Sequence, residues 1–266
     1  MTVRGLYYQA EVHGLAGIDK SDQAYARVQR QVLALRRAGR LRYEWIADAT
    51  RWMRKPQSYD SAEDALKEAA RLYRRSLWRG AGGYIEVWCE KDALAGVIFP
   101  VTAGYDVALM VARGFSSETY AYEAVAARDG DRRPYVVLYL GDFDRAGQDA
   151  ARTLKEKLKR FAAAEGIPVY FRQLAVTPNQ IADLGLPTRP HKRKTAADRR
   201  WPHPFACELD AMPPDTIRSL VRESIEAFFE KGQLERTRAI EAAEREALAK
   251  VRISMPGFGI GEVNDA

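Results

Sequence analysis

The feature that most constrains this chain is an apolar run that ends in two closely spaced carboxylates. Residues 135–140 predict a buried strand, and Asp142 and Asp144 follow at its carboxyl end. Residues two apart in an extended chain lie on the same side, as a site for a hard divalent cation requires. A second buried-strand pattern, 84–89, delivers another acid, Glu90, just past its end. Because ligands of open α/β sheets bind outside the carboxyl ends of parallel strands, these acids predict a site at one edge of a sheet.

Composition limits the classes of protein that fit. The chain has 266 residues, 47% of them hydrophobic and 29% charged, which is typical of a globular protein with a full core. The sequence has no run of about 18 apolar residues and no signal-peptide pattern, so we expect a cytoplasmic, nucleoid-associated protein without a membrane partner. Cys89 and Cys207 lie in or beside apolar runs and predict reduced core residues, with a zinc or disulfide role as the less favoured alternative.

Positive charge is concentrated near the N-terminus. Residues 1–57 contain eleven basic and five acidic residues, an excess of six that equals the net charge of the whole chain. Such an excess indicates a polyanionic partner. Periodicity predicts helices over 2–13 and 22–37 and a β-ribbon over 41–48. These elements resemble a winged helix-turn-helix whose second helix would present Arg27, Arg30 and Arg37 to DNA; the alternative is a basic helical hairpin with solvated arginines.

The remainder of the sequence predicts an α/β domain. A connecting helix over 60–79 and a glycine hinge precede strands and helices that alternate over 84–176, which predicts a mostly parallel sheet with helices on both faces. The chain has no phosphate-binding loop of the GxxxxGK[ST] type, which excludes a recognisable ATPase. Residues 177–206 predict an irregular loop whose basic cluster either follows a DNA backbone or is solvated; we assign Lys192, Arg193 and Lys194 to DNA binding. A helix capped by Asp215 and a polar helical stretch complete the chain.

The three acids suit one kind of ligand. Glu90, Asp142 and Asp144 are oxygen donors without a histidine nearby in sequence, and magnesium is the cation that such a set selects. The Asp-x-Asp pair alone is not specific, because Asp144 can instead cap the helix that follows. The order of strand, Glu90, helix, strand, Gly114, helix and strand with Asp142 and Asp144 resembles the Toprim domain of topoisomerases, primases and related nucleases. That resemblance implies that Glu90 does acid–base or metal work and that the two aspartates hold Mg²⁺ next to a scissile phosphate.

The first residues narrow this resemblance. Arg4-Gly5-Leu6-Tyr7-Tyr8 resembles the Arg-x-x-Tyr-Tyr signature of the topoisomerase VI A subunit and the meiotic double-strand-break transesterase, in particular their minimal phage and plasmid relatives. In that superfamily the second tyrosine attacks a DNA phosphate, which implies that Tyr8 is the nucleophile and forms a 5′-phosphotyrosyl link. Helical spacing separately places Tyr7 on the apolar face and Arg4 and Tyr8 on the polar face. A phenol with a pKa of about 10 needs a nearby cation, which Arg4 and Mg²⁺ would supply.

Further features of the resemblance are less specific. Residues 207–211 resemble a Glu-x-x-Ala-Leu segment, with Met212 in place of leucine, so Glu208 is expected either to orient a metal or the basic loop or to cap a helix. The superfamily also implies double-stranded DNA as substrate, a homodimer in which tyrosine and metal come from different protomers, and a separate ATPase subunit. Gly5 stands where the family has aspartate, and the extension that docks the ATPase subunit has no expected counterpart in this chain.

The sequence therefore predicts an N-terminal winged helix-turn-helix, a Toprim-type sheet and a helical C-terminal extension. The expected segments are a winged-helix domain (1–58), a connecting helix and hinge (59–83), a Toprim domain (84–178), a basic loop (179–206) and a C-terminal helical segment with a tail (207–266). The expected function is magnesium-dependent DNA cleavage by Tyr8, assisted by Arg4 and Glu90. The alternatives are a Toprim nuclease that uses metal-activated water, and a DNA-binding protein without catalysis.

Overall fold

The computed structural model describes residues 3–19, 21–46, 56–128, 130–191, 195–196 and 198–250. Its α-helices are α1 (Val3–Val12), α2 (Asp22–Arg37), α3 (Ala62–Leu72), α4 (Ala95–Gly104), α5 (Glu118–Ala126), α6 (Arg145–Ala164), α7 (Pro178–Asp183), α8 (Pro214–Glu226) and α9 (Gln233–Ala249). Its strands are β1 (Tyr84–Cys89), β2 (Ala108–Val111), β3 (Tyr135–Leu140), β4 (Val169–Ala175), β5 (Arg189–Pro190) and β6 (Phe205–Ala206). The chain divides into one compact unit of Met1–Trp52 with Trp78–Phe228 and a second of Met53–Leu77 with Phe229–Ala266.

The larger unit is built on a four-stranded sheet. All of its pairings are parallel and the strand order is β2-β1-β3-β4, so β1 and β3 lie next to each other. This confirms the prediction of an α/β fold with a parallel sheet flanked by helices. Both central strands have the predicted bounds. β3 is apolar along its whole length, as expected of a strand covered on two faces, whereas β1 contains one buried acid, Glu86, which accepts hydrogen bonds from Trp88 Nε1 at 2.8 Å and from the Tyr135 hydroxyl.

Two helical layers bury the sheet. On one side α5 contacts α6, and the cluster of buried residues there includes Trp88, Tyr139 and Leu158. Elsewhere α4 packs against α8 with Ile98 and Ile217 fully buried, outside that cluster. Deleting a buried side chain of this size costs about 2–5 kcal/mol, so these layers fix the positions of the strand ends.

The N-terminal helices α1 and α2 form as predicted. Tyr7, Val28 and Val32 pack in one cluster, and the Ser21 hydroxyl caps α2 by accepting a hydrogen bond from the Ala24 backbone amide at 3.1 Å. The predicted ribbon over 41–48 is wrong within the described residues 41–46, where Tyr43–Trp45 forms a turn of 3₁₀ helix.

The side chain of Arg36 accounts for this turn. Its guanidinium donates to the carbonyls of Tyr43, at 2.8 Å, and Ile46, and it lies 4.9 Å from the centroid of the Tyr43 ring. The carbonyls of Tyr43 and Ile46 thus accept hydrogen bonds from a side chain and not from the backbone of a neighbouring strand. The expected strand continued through Ala47 and Asp48, which lie outside the described residues.

Several other boundaries differ from the prediction. The helix expected at 91–97 is a short 3₁₀ turn, Asp92–Leu94, followed by α4, and the connecting helix ends at Leu72. The segment 177–206 includes α7, which begins with a capping box, and the antiparallel pair β5–β6, so it is more ordered than expected. Asp215 lies inside the first turn of α8 and does not cap it, and Gly232, with φ +77°, separates α8 from α9.

The smaller unit joins α3 to α9. The Tyr73 hydroxyl donates to Glu244 at 2.7 Å, and the Arg75 backbone amide donates to Glu241 at 3.0 Å. In the part of the chain that the structure describes, no helix combines the length and the apolar character that crossing a membrane requires.

Candidate active site at the acidic strand edge

Glu90 and Asp142 meet at the carboxyl ends of β1 and β3. The two strands are paired neighbours, and the Glu90 carboxylate accepts a hydrogen bond from the Asp142 backbone amide at 3.0 Å. Gly141 leaves room for this contact, because a Cβ atom there would lie 2.7 Å from Glu90 Oε2. The structure thus brings together two of the acids that the sequence analysis selected.

Asp142 and Asp144 each have one carboxylate oxygen bonded to a backbone amide and the other paired with a cation. Asp142 Oδ1 accepts from the Leu209 backbone amide at 2.8 Å, while its Oδ2 lies 3.0 Å from Lys91 Nζ. Asp144 Oδ1 accepts from the Gly147 backbone amide at 2.8 Å, while its Oδ2 accepts from Arg189 at 3.1 Å. Each carboxylate is therefore oriented by one backbone bond and neutralised by one cation. Asp144 does cap α6, as the alternative interpretation held, and its second oxygen still faces the site.

Two further acids complete the cluster. Glu208 accepts from Arg189 Nε at 3.1 Å and lies 3.8 Å from Lys91 Nζ, and Asp210 lies 3.1 Å from the same ammonium. Glu208 occupies the cap position of the 3₁₀ turn Leu209–Ala211 but makes no side-chain capping bond, so the helix-capping role weighed for it is wrong. We refer to Glu90, Asp142, Asp144, Glu208 and Asp210, together with Lys91 and Arg189, as the acidic cluster. Its five carboxylates face two cations, which leaves an excess of negative charge.

Burial and neighbouring charges shift the pKa values of the cluster. Burial, followed by the nearby Asp142 carboxylate, raises the pKa of Glu90 to about 7. Burial also raises the pKa of Asp142, although Lys91 acts in the opposite direction. For Lys91, burial by itself lowers the pKa, but Asp142 and Asp210 outweigh it and raise the pKa above its ordinary value. Burial is thus the largest cause of the shift for both acids, and neighbouring carboxylates decide its direction for Lys91.

The donor set fits a hard divalent cation, since all five acids offer oxygen and the charge excess favours a dication. Among the described residues, no three His, Cys, Asp or Glu side chains already form a ligand cluster for a metal ion. The reason is visible at two positions, because Lys91 and Arg189 hold the outward oxygens of Asp142 and Asp144.

The neighbouring tyrosines of α1 differ in environment. Tyr7 is 6% exposed, its hydroxyl donates to the Asp19 carbonyl at 2.7 Å, and burial raises its pKa. Tyr8 is half-buried and lines a cleft of about 240 Å³, which it shares with Arg189, Glu208 and Asp210 of the acidic cluster. We call this the Tyr8 cleft. The structure thus separates a structural tyrosine from one that faces the acids.

α1 is attached directly to the acidic cluster. The Gln9 side chain donates to the Asp210 backbone carbonyl at 3.1 Å, and α1 contacts the turn Leu209–Ala211. Arg4 lies elsewhere, with its guanidinium 5.3 Å from the centroid of the Tyr25 ring, and it does not line the Tyr8 cleft. Among the described residues that line the cleft, the basic one is Arg189, which the sequence analysis counted in the basic cluster of 177–206 and did not expect beside Tyr8.

The expected DNA-binding residues fall into two groups. Arg27, Arg30 and Arg37 are exposed on α2, and Arg27 donates to the Gly17 carbonyl at 2.7 Å. Lys192, Arg193 and Lys194 lie outside the described residues. Gly114 has φ +84°, which agrees with the turn predicted for it.

Comparison with known proteins adds no assignment: no protein-family model matches the chain, and a search of curated proteins finds no significant relative. Sequence reasoning missed Lys91, Arg189, Asp210 and Gly141. Lys91 and Gly141 are direct sequence neighbours of selected acids, and that position was a signal that could have identified them. Arg189 and Asp210 reach the site only through the fold, because the chain returns to the sheet edge at Cys207, whose backbone exchanges hydrogen bonds with Phe143.

Proposed function

We propose that this protein cleaves DNA strands by transesterification, with Tyr8 as the nucleophile and Mg²⁺ held by Glu90, Asp142 and Asp144. The observation that carries the proposal is the Tyr8 cleft, where one phenol shares its walls with Arg189, Glu208 and Asp210. Lys91 pairs with both Asp210 and Asp142, and Arg189 pairs with both Glu208 and Asp144. The proposed nucleophile thus shares a cleft with residues that pair, directly or through Lys91, with two of the proposed metal ligands.

The chemistry follows from the charges in the cleft. The Tyr8 hydroxyl would lose its proton to water, and its oxygen would attack phosphorus and form a phosphotyrosyl bond. The bond from phosphorus to the 3′-oxygen of the preceding nucleotide would break, and that oxygen would take up a proton from water. Arg189 would stabilise the phenolate, because its guanidinium lines the same cleft. Glu90, with a pKa of about 7, exchanges a proton near neutral pH and suits acid–base work. A bound Mg²⁺ would supply positive charge to the phosphate in the transition state.

A plasmid assay tests the proposal. Supercoiled plasmid is incubated with the full-length chain and Mg²⁺, denatured, and analysed with and without protease. We expect protein covalently attached to 5′ ends, lost in Tyr8→Phe and in Asp142→Asn. The matched control is Tyr7→Phe, which removes the hydrogen bond to Asp19 and leaves the cleft unchanged, so it should retain cleavage. Undiminished cleavage by Tyr8→Phe would refute the nucleophile.

A mixing experiment tests which chain supplies the tyrosine. In this chain Tyr8 and the acids line the same cleft, whereas a homodimer of the superfamily type would combine them from two protomers. Tyr8→Phe and Asp142→Asn are mixed after each has been shown to be inactive. If the reaction occurs within one chain, the mixture stays inactive. Restored cleavage would indicate that two copies cooperate.

A nuclease that uses metal-activated water is the second candidate. The observation that favours it is the position of Arg4 over Tyr25, since the cation expected to activate Tyr8 is engaged elsewhere. On this alternative the products have free 5′ ends, Tyr8→Phe still cleaves, and Asp142→Asn does not. A protein that only binds DNA would show salt-sensitive binding and no cleavage with any metal.

A further inference from the structure

Lys91 has an unusual environment for a lysine. Its side chain is 23% exposed, and its ammonium lies 3.0 Å from Asp142, 3.1 Å from Asp210 and 3.8 Å from Glu208. Lysine is strongly hydrated and is rarely enclosed in this way unless carboxylates replace its water. Because it follows Glu90 directly at the end of β1, its backbone is fixed by the sheet.

Asp210 is the most buried acid of the cluster. It is 3% exposed, and neither of its carboxylate oxygens accepts a hydrogen bond within the described residues. A buried carboxylate without hydrogen bonds is costly unless a charge compensates it, and the charge present is that of Lys91. Its backbone carbonyl accepts a hydrogen bond from the Gln9 side chain at 3.1 Å.

We propose that Lys91 is an exchangeable counter-ion, and that a divalent cation competes with it for the carboxylates of Asp142 and Asp210. The proposal rests on the proposed function in one respect, which is that the divalent cation is taken to be the Mg²⁺ of the DNA cleavage reaction. Asp142 offers a single outward oxygen, since its other oxygen is bonded to the Leu209 amide, and Lys91 holds that outward oxygen. Asp210 is then a fourth acid of the metal site, which the Asp-x-Asp pattern does not include.

The direction of the effect follows from electrostatics. Replacing Lys91 by methionine keeps much of the side-chain length and removes the positive charge, so the carboxylates repel one another more strongly in the absence of metal. A divalent cation would then bind without displacing an ammonium. A purely structural salt bridge predicts something different, namely a loss of stability that added metal does not restore.

The experiment measures metal binding without DNA. Mn²⁺ binding to the full-length chain is followed by electron paramagnetic resonance, and thermal unfolding is recorded in EDTA and in Mg²⁺. We expect Lys91→Met to bind Mn²⁺ about tenfold more tightly than wild type. It should melt lower in EDTA and gain more from Mg²⁺ than wild type does. Lys91→Arg, which keeps the charge, should behave like wild type.

A second variant keeps the test decisive if Lys91→Met does not fold. Asp210→Asn retains Lys91 and removes one carboxylate, so it should weaken Mn²⁺ binding severalfold. Unchanged or weaker Mn²⁺ binding by Lys91→Met, or unchanged binding by Asp210→Asn, would overturn the inference while leaving the proposed function standing. If wild type and every variant fail to bind Mn²⁺, the metal site of the proposed function fails as well.

Discussion

The backbone of Gly147 lies against Asp142, so that a Cβ atom at residue 147 would stand 2.5 Å from the Asp142 carbonyl oxygen and 3.1 Å from its Cβ. A Cβ atom does not approach a carbonyl oxygen that closely, so glycine at residue 147 is what lets the first turn of α6 lie against the Asp142 backbone. A glycine three residues after Asp144 is thus part of the construction of the acidic cluster.

Gly147→Ala should displace Asp142 and impair the site. Alanine favours a helix over glycine by about 1 kcal/mol, so a loss of stability in this variant would come from the clash alone. We expect a net destabilisation of about 1–3 kcal/mol and weaker Mn²⁺ binding. The control is Gly104→Ala at the end of α4, where a Cβ would meet no atom within 4 Å. Equal behaviour of the two variants in chemical denaturation and metal binding would contradict this account.

The two functions of Asp144 can be separated. Asp144→Ala removes both the cap of α6 and the charge, whereas Asp144→Ser keeps a capping hydroxyl and removes only the charge. We expect both variants to lose metal-dependent cleavage, and the alanine variant alone to lose about 1 kcal/mol of stability relative to the serine variant. Urea denaturation and the plasmid assay measure the two effects. Retained cleavage by Asp144→Ser would reduce Asp144 to a helix cap.

Glu90 should make stability depend on pH in the absence of divalent cations. Its pKa is about 7 in the folded chain against an ordinary 4.5, so the folded state binds the proton more tightly than the unfolded state does. Stability is therefore present below the unfolded pKa and falls as the pH rises from 4.5 to 7.

Glu90→Gln tests that dependence. Removing the titrating group should stabilise the protein, relative to wild type, by about 1–3 kcal/mol more at pH 8 than at pH 4.5. Asp142 contributes a slope of the same sign, because its pKa is also raised, so the variant should flatten the profile only in part. Denaturation in EDTA at both pH values measures the difference. An identical pH profile for variant and wild type would show that Glu90 is not the titrating group.

The sequence predicted those parts of the fold that depend on local pattern. β1 and β3 were predicted with the correct bounds, because a strand buried on both faces is mostly apolar, even though β1 also contains the buried Glu86. The predicted ribbon was wrong within residues 41–46, where the chain forms a 3₁₀ turn and the Arg36 side chain donates to the carbonyls of Tyr43 and Ile46. Local periodicity carries no information on such contacts.

Some residues of the candidate site were also predictable from local pattern, and others were not. Glu90, Asp142 and Asp144 follow strands and were selected from their spacing, and the burial of Tyr7 beside the half-buried Tyr8 followed from helical periodicity. The cations that pair with these acids could not be predicted from local pattern. Lys91 pairs with Asp142, which is more than fifty residues away in sequence, and Arg189 pairs with Asp144, which is about forty-five residues away. These pairs form only when the fold brings the segments together at one edge of the sheet.

The central claim is that Tyr8 forms a covalent bond to DNA, and one measurement tests it most directly. Duplex DNA is incubated with the full-length chain and Mg²⁺, the mixture is denatured and digested with nuclease and trypsin, and the peptide of residues 5–20 is sequenced by mass spectrometry. We predict a nucleotide attached through phosphate to Tyr8 and not to Tyr7. Cleaved DNA with free 5′ ends and an unmodified peptide, or an adduct on any other residue, would contradict the account.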